Sequence, residues 1–160
     1  TAFQYDDFGR LSTLIEAERD EALKRTTTYT YSSDVRRFQT PLKIERKDET
    51  VVNTLDSKGR VTSSTVTNTN GGVTKSRKYT YQYENDLLKT QTDPDGSVKT
   101  VEYEDIGVNK KKETITKDGL SSVTEFSNYN SAGAPGKIIE PSGVVETIKY
   151  DQSNLPVLKE

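Results

Sequence analysis

Polar and apolar residues alternate along most of this chain. Tyr79, Tyr81 and Tyr83 fall on one side of an extended backbone, with Lys78, Thr80 and Gln82 on the other. Thr27, Tyr29 and Tyr31 repeat the arrangement, and Val144, Ile148 and Tyr150 oppose Val145, Thr147 and Lys149. A period of two marks half-buried strands. The polar side is unusually polar, which suits a sheet with one side against other sheet layers and the other wet. The pattern predicts strands at 10–17 and 24–31, 36–47 and 50–55, 60–68 and 73–83, 87–93 and 97–103, 109–116 and 121–129, and 136–140 and 144–150. Phe3-Gln4-Tyr5-Asp6 reads as the end of a further strand. Glu16 to Arg25 is rich in helix formers. It falls where a hairpin turn is due, so a long hairpin tip is the preferred reading and a partly helical loop the alternative.

Turn signals return every 23 to 24 residues, at Asp48-Glu49, Gly71-Gly72, Asp95-Gly96, Asp118-Gly119 and Ser142-Gly143. Asp-Gly between alternating strands predicts a two-residue hairpin with φ > 0 at both positions. Pro94 and Pro141 stop the incoming strands. A second signal runs between these: Tyr5-Asp6-Asp7-Phe8-Gly9-Arg10-Leu11, Leu55-Asp56-Ser57-Lys58-Gly59-Arg60-Val61 and Tyr103-Glu104-Asp105-Ile106-Gly107. Four residues after each Tyr-like position stand Gly9, Gly59, Gly107 and Gly133, with Asn154 after Tyr150. After Tyr31 and Tyr83 the same place holds Val35 and Leu87, which avoid φ > 0, so those two turns require another geometry. A fixed period of this size means a repeat architecture. The expectation is an all-β antiparallel strip of about six hairpin units over 1–160, a twisted or spiralling open sheet.

Composition refines this picture. The chain is 30% hydrophobic with a net charge of −2, which fits a folded sheet with a thin core. Its many Thr and Tyr residues favour strands. The pI near 5.4, with mixed charges and no basic run beyond Lys110-Lys111-Lys112, argues against nucleic acid. That lysine run suits a solvated strand edge. No apolar run reaches membrane-span length. The chain has no Cys and no Met and opens at Thr1, and so reads as excised from a longer polypeptide.

These repeats resemble the YD repeats of Rhs proteins, related to those of the B and C components of insecticidal Tc toxins and of teneurins. The residues that carry the likeness are Tyr5-Asp6-Asp7-Phe8-Gly9-Arg10-Leu11, Tyr83-Glu84 leading to Asp93-Pro94-Asp95-Gly96, and Tyr150-Asp151. The repeat positions are Tyr5, Asp6, Gly9, Tyr31, Gly59, Gly72, Tyr83, Asp95, Gly96, Tyr103, Gly107, Gly119, Tyr129, Gly133, Gly143, Tyr150 and Asp151. Asp follows Tyr only at Tyr5-Asp6 and Tyr150-Asp151. The resemblance implies a strip of hairpins that spirals into a hollow shell. In bacterial members the shell encloses a C-terminal toxin, and the parent protein is secreted or on the cell surface. The implied partners are neighbouring repeats of the parent and an enclosed toxin domain. Bacterial members also carry a self-cleaving core that opens Asp-Pro-x-Gly. Asp93-Pro94-Asp95-Gly96 matches the opening, but Ser97-Val98-Lys99-Thr100 lacks the Gly-rich continuation, so an ordinary turn is expected.

The residues give little sign of catalysis. With no His and no Cys, the commonest general base, thiol nucleophiles and His- or Cys-ligated metals are excluded. Asp6-Asp7 and Glu104-Asp105 are adjacent and would face opposite ways along a strand. No spaced Ca²⁺ loop and no phosphate-binding glycine loop is present. The chain is therefore expected to be no enzyme and to hold no cofactor. Two functional readings stay open. In one, the chain is a structural segment of a shell or scaffold, with Tyr29, Tyr31, Tyr79, Tyr81, Tyr83, Tyr103 and Tyr150 mostly buried. In the other it binds glycan or protein through exposed tyrosines. A strip with two raw edges is also expected to self-associate through them.

Overall fold

A computed structural model of the chain describes all residues except Glu18, Glu21, Ala22, 34–38, Asp105, Ile106 and Glu160. It contains strands β1 (Ala2–Tyr5), β2 (Leu11–Glu16), β3 (Arg25–Thr30), β4 (Lys43–Arg46), β5 (Glu49–Leu55), β6 (Val61–Asn70) and β7 (Val73–Glu84). There follow β8 (Leu87–Thr92), β9 (Val98–Tyr103), β10 (Lys110–Lys117), β11 (Leu120–Ser127), β12 (Lys137–Ile139), β13 (Val145–Tyr150) and β14 (Pro156–Lys159). All described pairings are antiparallel, and the 14-stranded order follows the chain with no crossover. The expected all-β antiparallel sheet of successive hairpins is therefore what forms. No helix occurs among the described residues. Glu16 pairs with Arg25, so the stretch between them caps a hairpin, although Glu18, Glu21 and Ala22 lie outside the described residues.

The chain divides into two compact units, Thr1–Thr80 and Tyr81–Glu160. In the first, Tyr29, Ile44, Val51 and Val66 stand opposite one another on β3, β4, β5 and β6. This row places aromatic and β-branched side chains in cross-strand contact, the pairing that stabilises sheets. In the second, Thr90, Thr100, Thr114 and Val123 form a comparable row across β8 to β11. Deep burial is scarce: among the described residues only Leu55, Thr27 and Val101 count as buried side chains. The polar positions are satisfied locally, by hydroxyl pairs such as Thr67 with Ser76 at 2.9 Å and Thr116 with Ser121 at 2.9 Å.

Several expected boundaries move. Strand β14 lies beyond the last predicted one. Strand β4 covers only Lys43–Arg46 of the expected 36–47, because Pro41 lacks the N–H that a strand ladder needs; 36–38 lie outside the described residues. The turn expected at Asp48-Glu49 sits one residue earlier, at Lys47-Asp48, because Glu49 pairs with Arg46 on one side and Asn68 on the other.

The two turn signals lie at opposite ends of the strands within each unit, because each strand reverses the last. Their geometries, however, do not sort by signal. Gly71-Gly72 (φ 57° and 79°) and Asp118-Gly119 (φ 50° and 80°) are the expected two-residue turns. Asp95-Gly96 and Ser142-Gly143 are not. They are the third and fourth residues of five-residue loops, Asp93–Ser97 and Glu140–Val144, in which only the glycine has positive φ. Proline explains the difference. Pro94 and Pro141 have no N–H to donate back across a two-residue turn, so the closing bond is made one residue earlier, by the Asp93 and Glu140 N–H groups to the Ser97 and Val144 carbonyls. Leu87 does escape the glycine position, as expected: it opens β8 directly after a two-residue turn at Asn85-Asp86 (φ 49° and 67°). Val35 lies outside the described residues.

Candidate functional site

The recurring unit is a five-residue loop clasped by its own first residue. In Asp6–Arg10, Asp56–Arg60, Asp93–Ser97, Asn130–Ala134, Glu140–Val144 and Asp151–Leu155, the first N–H donates to the last carbonyl, and the fourth N–H returns to the first carbonyl. The fourth residue is left-handed each time: Gly9, Gly59, Gly96, Gly133, Gly143 and Asn154. In four of the loops the side chain of the first residue completes the clasp. Asp6 Oδ1 accepts the N–H of Phe8 at 3.0 Å and of Arg10 at 2.9 Å. Asp56, Asn130 and Asp151 do the same for their third and fifth residues.

Two loops add an arginine. Arg10 Nε donates to Asp6 Oδ2 at 2.6 Å, and Arg60 Nε to Asp56 Oδ2 at 2.7 Å. Arg10 also reaches the Ser32 carbonyl at 3.2 Å, and its guanidinium lies 4.6 Å from the Tyr31 ring centre and 5.0 Å from that of Phe8. Loss of water contact pushes the Asp6 carboxyl up. The hydrogen bonds from the Arg10 backbone and side chain and the Phe8 backbone outweigh it, leaving the group below the ordinary aspartate value. Asp56 is lowered by the same balance, with Arg60 and Lys58 as donors. Asp95 is lowered chiefly by the Lys117 ammonium and the Ser97 hydroxyl.

The tyrosines link each loop to its neighbour. Tyr31 donates its hydroxyl to the Leu11 carbonyl at 3.0 Å, Tyr103 to Leu88 at 2.9 Å, Tyr129 to Lys110, and Tyr150 to Pro135 at 2.9 Å. Each tyrosine ends or follows one strand and grips the opening backbone of the strand before it. Burial raises the Tyr31 and Tyr129 hydroxyls above the ordinary tyrosine value. Of the repeat tyrosines, Tyr31, Tyr83, Tyr103, Tyr129 and Tyr150 are half-buried, as are Tyr29, Tyr79 and Tyr81, whereas Tyr5 is exposed. Sequence reasoning named the tyrosines but missed their hydroxyl partners. It also missed Arg10 and Arg60, although both follow the loop glycine directly.

Other candidates resolve into local structure. Asp6 spends its carboxylate on the loop, and Asp105 lies outside the described residues. Lys110 and Lys112 pair with Glu113 and Glu102. A recess of about 650 Å³ in the second unit is lined by Glu84, Asp86, Lys89, Tyr103 and Glu104 among others. Among the described residues no three Asp or Glu side chains converge to hold a metal. Asp93-Pro94-Asp95-Gly96 is one of the five-residue loops, with Asp95 Oδ1 accepting from the Ser97 N–H and hydroxyl.

These features define a repetitive protein of clasped β-hairpins. Residues 3–132 match the model of a protein family described as "Uncharacterised protein", and the chain belongs to that family. No curated protein matches it. Among solved structures, TcdB2-TccC3-Cdc42 resembles it with a TM-score of 0.71 at 15% identity, over 98% of this chain and 9% of that one. TcdB2-TccC3-TEV resembles it with a TM-score of 0.57 at 14% identity, over 99% of this chain and 10% of that one. The chain thus shares the fold of a stretch of these Tc toxin components and spans about a tenth of their length, from 9% to 10%.

Proposed function

We propose that the chain is a wall segment of a secreted or surface-exposed Rhs/YD-repeat protein, supplying hairpins to a β-shell that encloses or presents another domain. It acts as scaffold, with no catalysis and no cofactor. The likeness to the TcdB2-TccC3 structures carries this reading: nearly the whole chain, 98%, corresponds to a small part of a much longer one. The thin core supports it, because strands with so little buried apolar surface gain stability from neighbouring repeats. The half-buried tyrosines, held by backbone carbonyls, favour a structural use over stacking on glycans.

The test is electron cryo-microscopy of the whole polypeptide, with protease protection of any domain that follows the repeats. The reading expects this segment to lie within a continuous wall and the following domain to resist protease until the wall is opened. A detached, free-standing segment beside a fully protease-sensitive domain would overturn it.

A further inference from the structure

Asparagine side chains are chemically labile, and they react where the next backbone nitrogen can reach them. Most asparagines of this chain are held or screened. Asn53 donates its Nδ2 to the Pro41 carbonyl at 2.9 Å, and Asn109 donates to Glu104 at 3.3 Å. Asn68 donates to Glu49 and accepts from Arg77. Asn130 spends its Oδ1 on the Ala132 and Ala134 N–H groups. Asn85, Asn128 and Asn154 precede Asp86, Tyr129 and Leu155, whose side chains crowd the nitrogen that would attack.

Asn70 has neither protection. It ends β6, pairs with Val73 across the Gly71-Gly72 turn, and is exposed. Its side chain makes no hydrogen bond among the described residues, and no other asparagine of the chain is followed by glycine. In a two-residue turn the ladder bonds belong to the flanking residues, here Asn70 and Val73. The Gly71 N–H is left outside the ladder and has no other partner among the described residues. A Cβ built on Gly71 or Gly72 would meet nothing within 4 Å, so no neighbour blocks the approach. The turn lies inside the chain with its two strands paired to each other, so its openness does not come from the chain ends.

We propose that Asn70 is a site of spontaneous covalent modification, in which the Gly71 nitrogen attacks the Asn70 Cγ. The new N–Cγ bond closes a succinimide, the Cγ–Nδ2 bond breaks, and the proton of the Gly71 nitrogen leaves with the amide as ammonia. Water then opens the ring at either carbonyl, giving aspartate or isoaspartate at position 70. The product is one charge more negative than the parent chain, whose net charge is −2. Isoaspartate also lengthens the main chain by one methylene beside the turn, which breaks the Asn70↔Val73 pairing. The disturbance stops at the next rung. There the Thr69 and Thr74 hydroxyls bond at 3.2 Å, and the Thr69 N–H reaches the Asp48 carbonyl at 2.9 Å. The modification therefore records the age of the molecule at the tip of its longest hairpin and leaves the rest of the sheet intact. It requires no shell, and it stands or falls separately from that reading.

The experiment ages the purified chain in neutral and in mildly alkaline buffer and maps its peptides by mass spectrometry. The peptide spanning Asn70 is expected to gain about 1 Da as an amide becomes an acid. The gain is faster at the higher pH, because the attacking nitrogen must lose its proton. An isoaspartyl methyltransferase is expected to label the same peptide. Gly71→Asp keeps a residue that tolerates the left-handed turn but sets a Cβ beside the nitrogen, and it should slow the reaction roughly 10-fold or more. Asn130 is the internal control: it stays unchanged in the folded chain, and unfolding in urea speeds it more than Asn70. An unchanged Asn70 peptide in the aged parent, or a Gly71→Asp variant that reacts as fast as the parent, overturns the proposal. So does an Asn130 that reacts as fast as Asn70 in the folded chain, or that gains less from urea, because the fold would then not be what leaves Asn70 open.

Discussion

The Asp6–Arg10 and Asn130–Ala134 loops trace the same backbone with different chemistry. In both, the first side-chain oxygen holds the third and fifth N–H groups, and a left-handed glycine stands fourth. The first loop adds a charge and an arginine that ties it to Ser32 and Tyr31. The second has neither, and its Asn130 Nδ2 is buried without a hydrogen-bond partner. The shape of the loop therefore needs an acceptor oxygen and a left-handed fourth residue. Charge is an addition that fastens the loop to the strand beyond.

Five substitutions and one pH series sharpen that contrast. The largest effect is expected from Gly136→Ala, at the end of the connection that contains the Asn130 loop. A Cβ there would lie 2.6 Å from the Asn128 carbonyl oxygen, so the backbone must shift and about 1–3 kcal/mol of stability is lost in urea unfolding. A smaller effect is expected from Gly9→Ala, where nothing lies within 4 Å of the new Cβ. Its cost is backbone strain alone, about 1–2 kcal/mol. Gly133→Ala should cost more than Gly9→Ala, because its Cβ also meets Asn109 Oδ1 at 3.3 Å. Equal costs in thermal melts would show that the surroundings of the two loops do not differ as described. Tyr150→Phe removes one hydroxyl bond to Pro135 and should cost ~1 kcal/mol by chemical denaturation.

The smallest effect is the most selective. The Asp6 carboxyl is lowered in the folded chain, so its contribution is full above the unfolded aspartate value and fades as pH falls through the lower folded one. Asn130 does not titrate. As pH falls from the unfolded aspartate range downward, the protection of the Phe8 and Arg10 amides from exchange, taken relative to the intrinsic rate at each pH, should fall more than that of Ala132 and Ala134. In Asp6→Asn that difference should vanish while the loop persists. Equal loss of protection at both loops in the parent chain would mean the carboxylate is not what holds the first.

The sequence revealed what is local. Left-handed positions at Gly9, Gly59 and Gly133 depend on a few adjacent residues, and alternation around Tyr79–Tyr83 depends on a single strand. Two identical Asp-Gly pairs, Asp95-Gly96 and Asp118-Gly119, nevertheless form different turns, and the proline at 94 decides it. Its legible role as a strand stop hid a second one: without an N–H it cannot close a two-residue turn, and Asp93 closes a longer one. What stayed hidden joins residues across strands. The Arg10 contact with Ser32 and the Tyr31 bond to Leu11 span 22 and 20 positions, and both require the pairing of β2 with β3. Strand β14 was missed because Pro156–Lys159 is exposed throughout and shows no alternation.

The uncrossed strand order has a mechanical consequence. Each strand is held by its sequence neighbours, through ladder bonds, a clasped loop and, in four places, a tyrosine hydroxyl. Tension applied at the two chain ends therefore loads the outermost pairs first and separates them one bond at a time, like a zipper. Every tyrosine latch on the way acts as a tooth that must let go before the next strand peels.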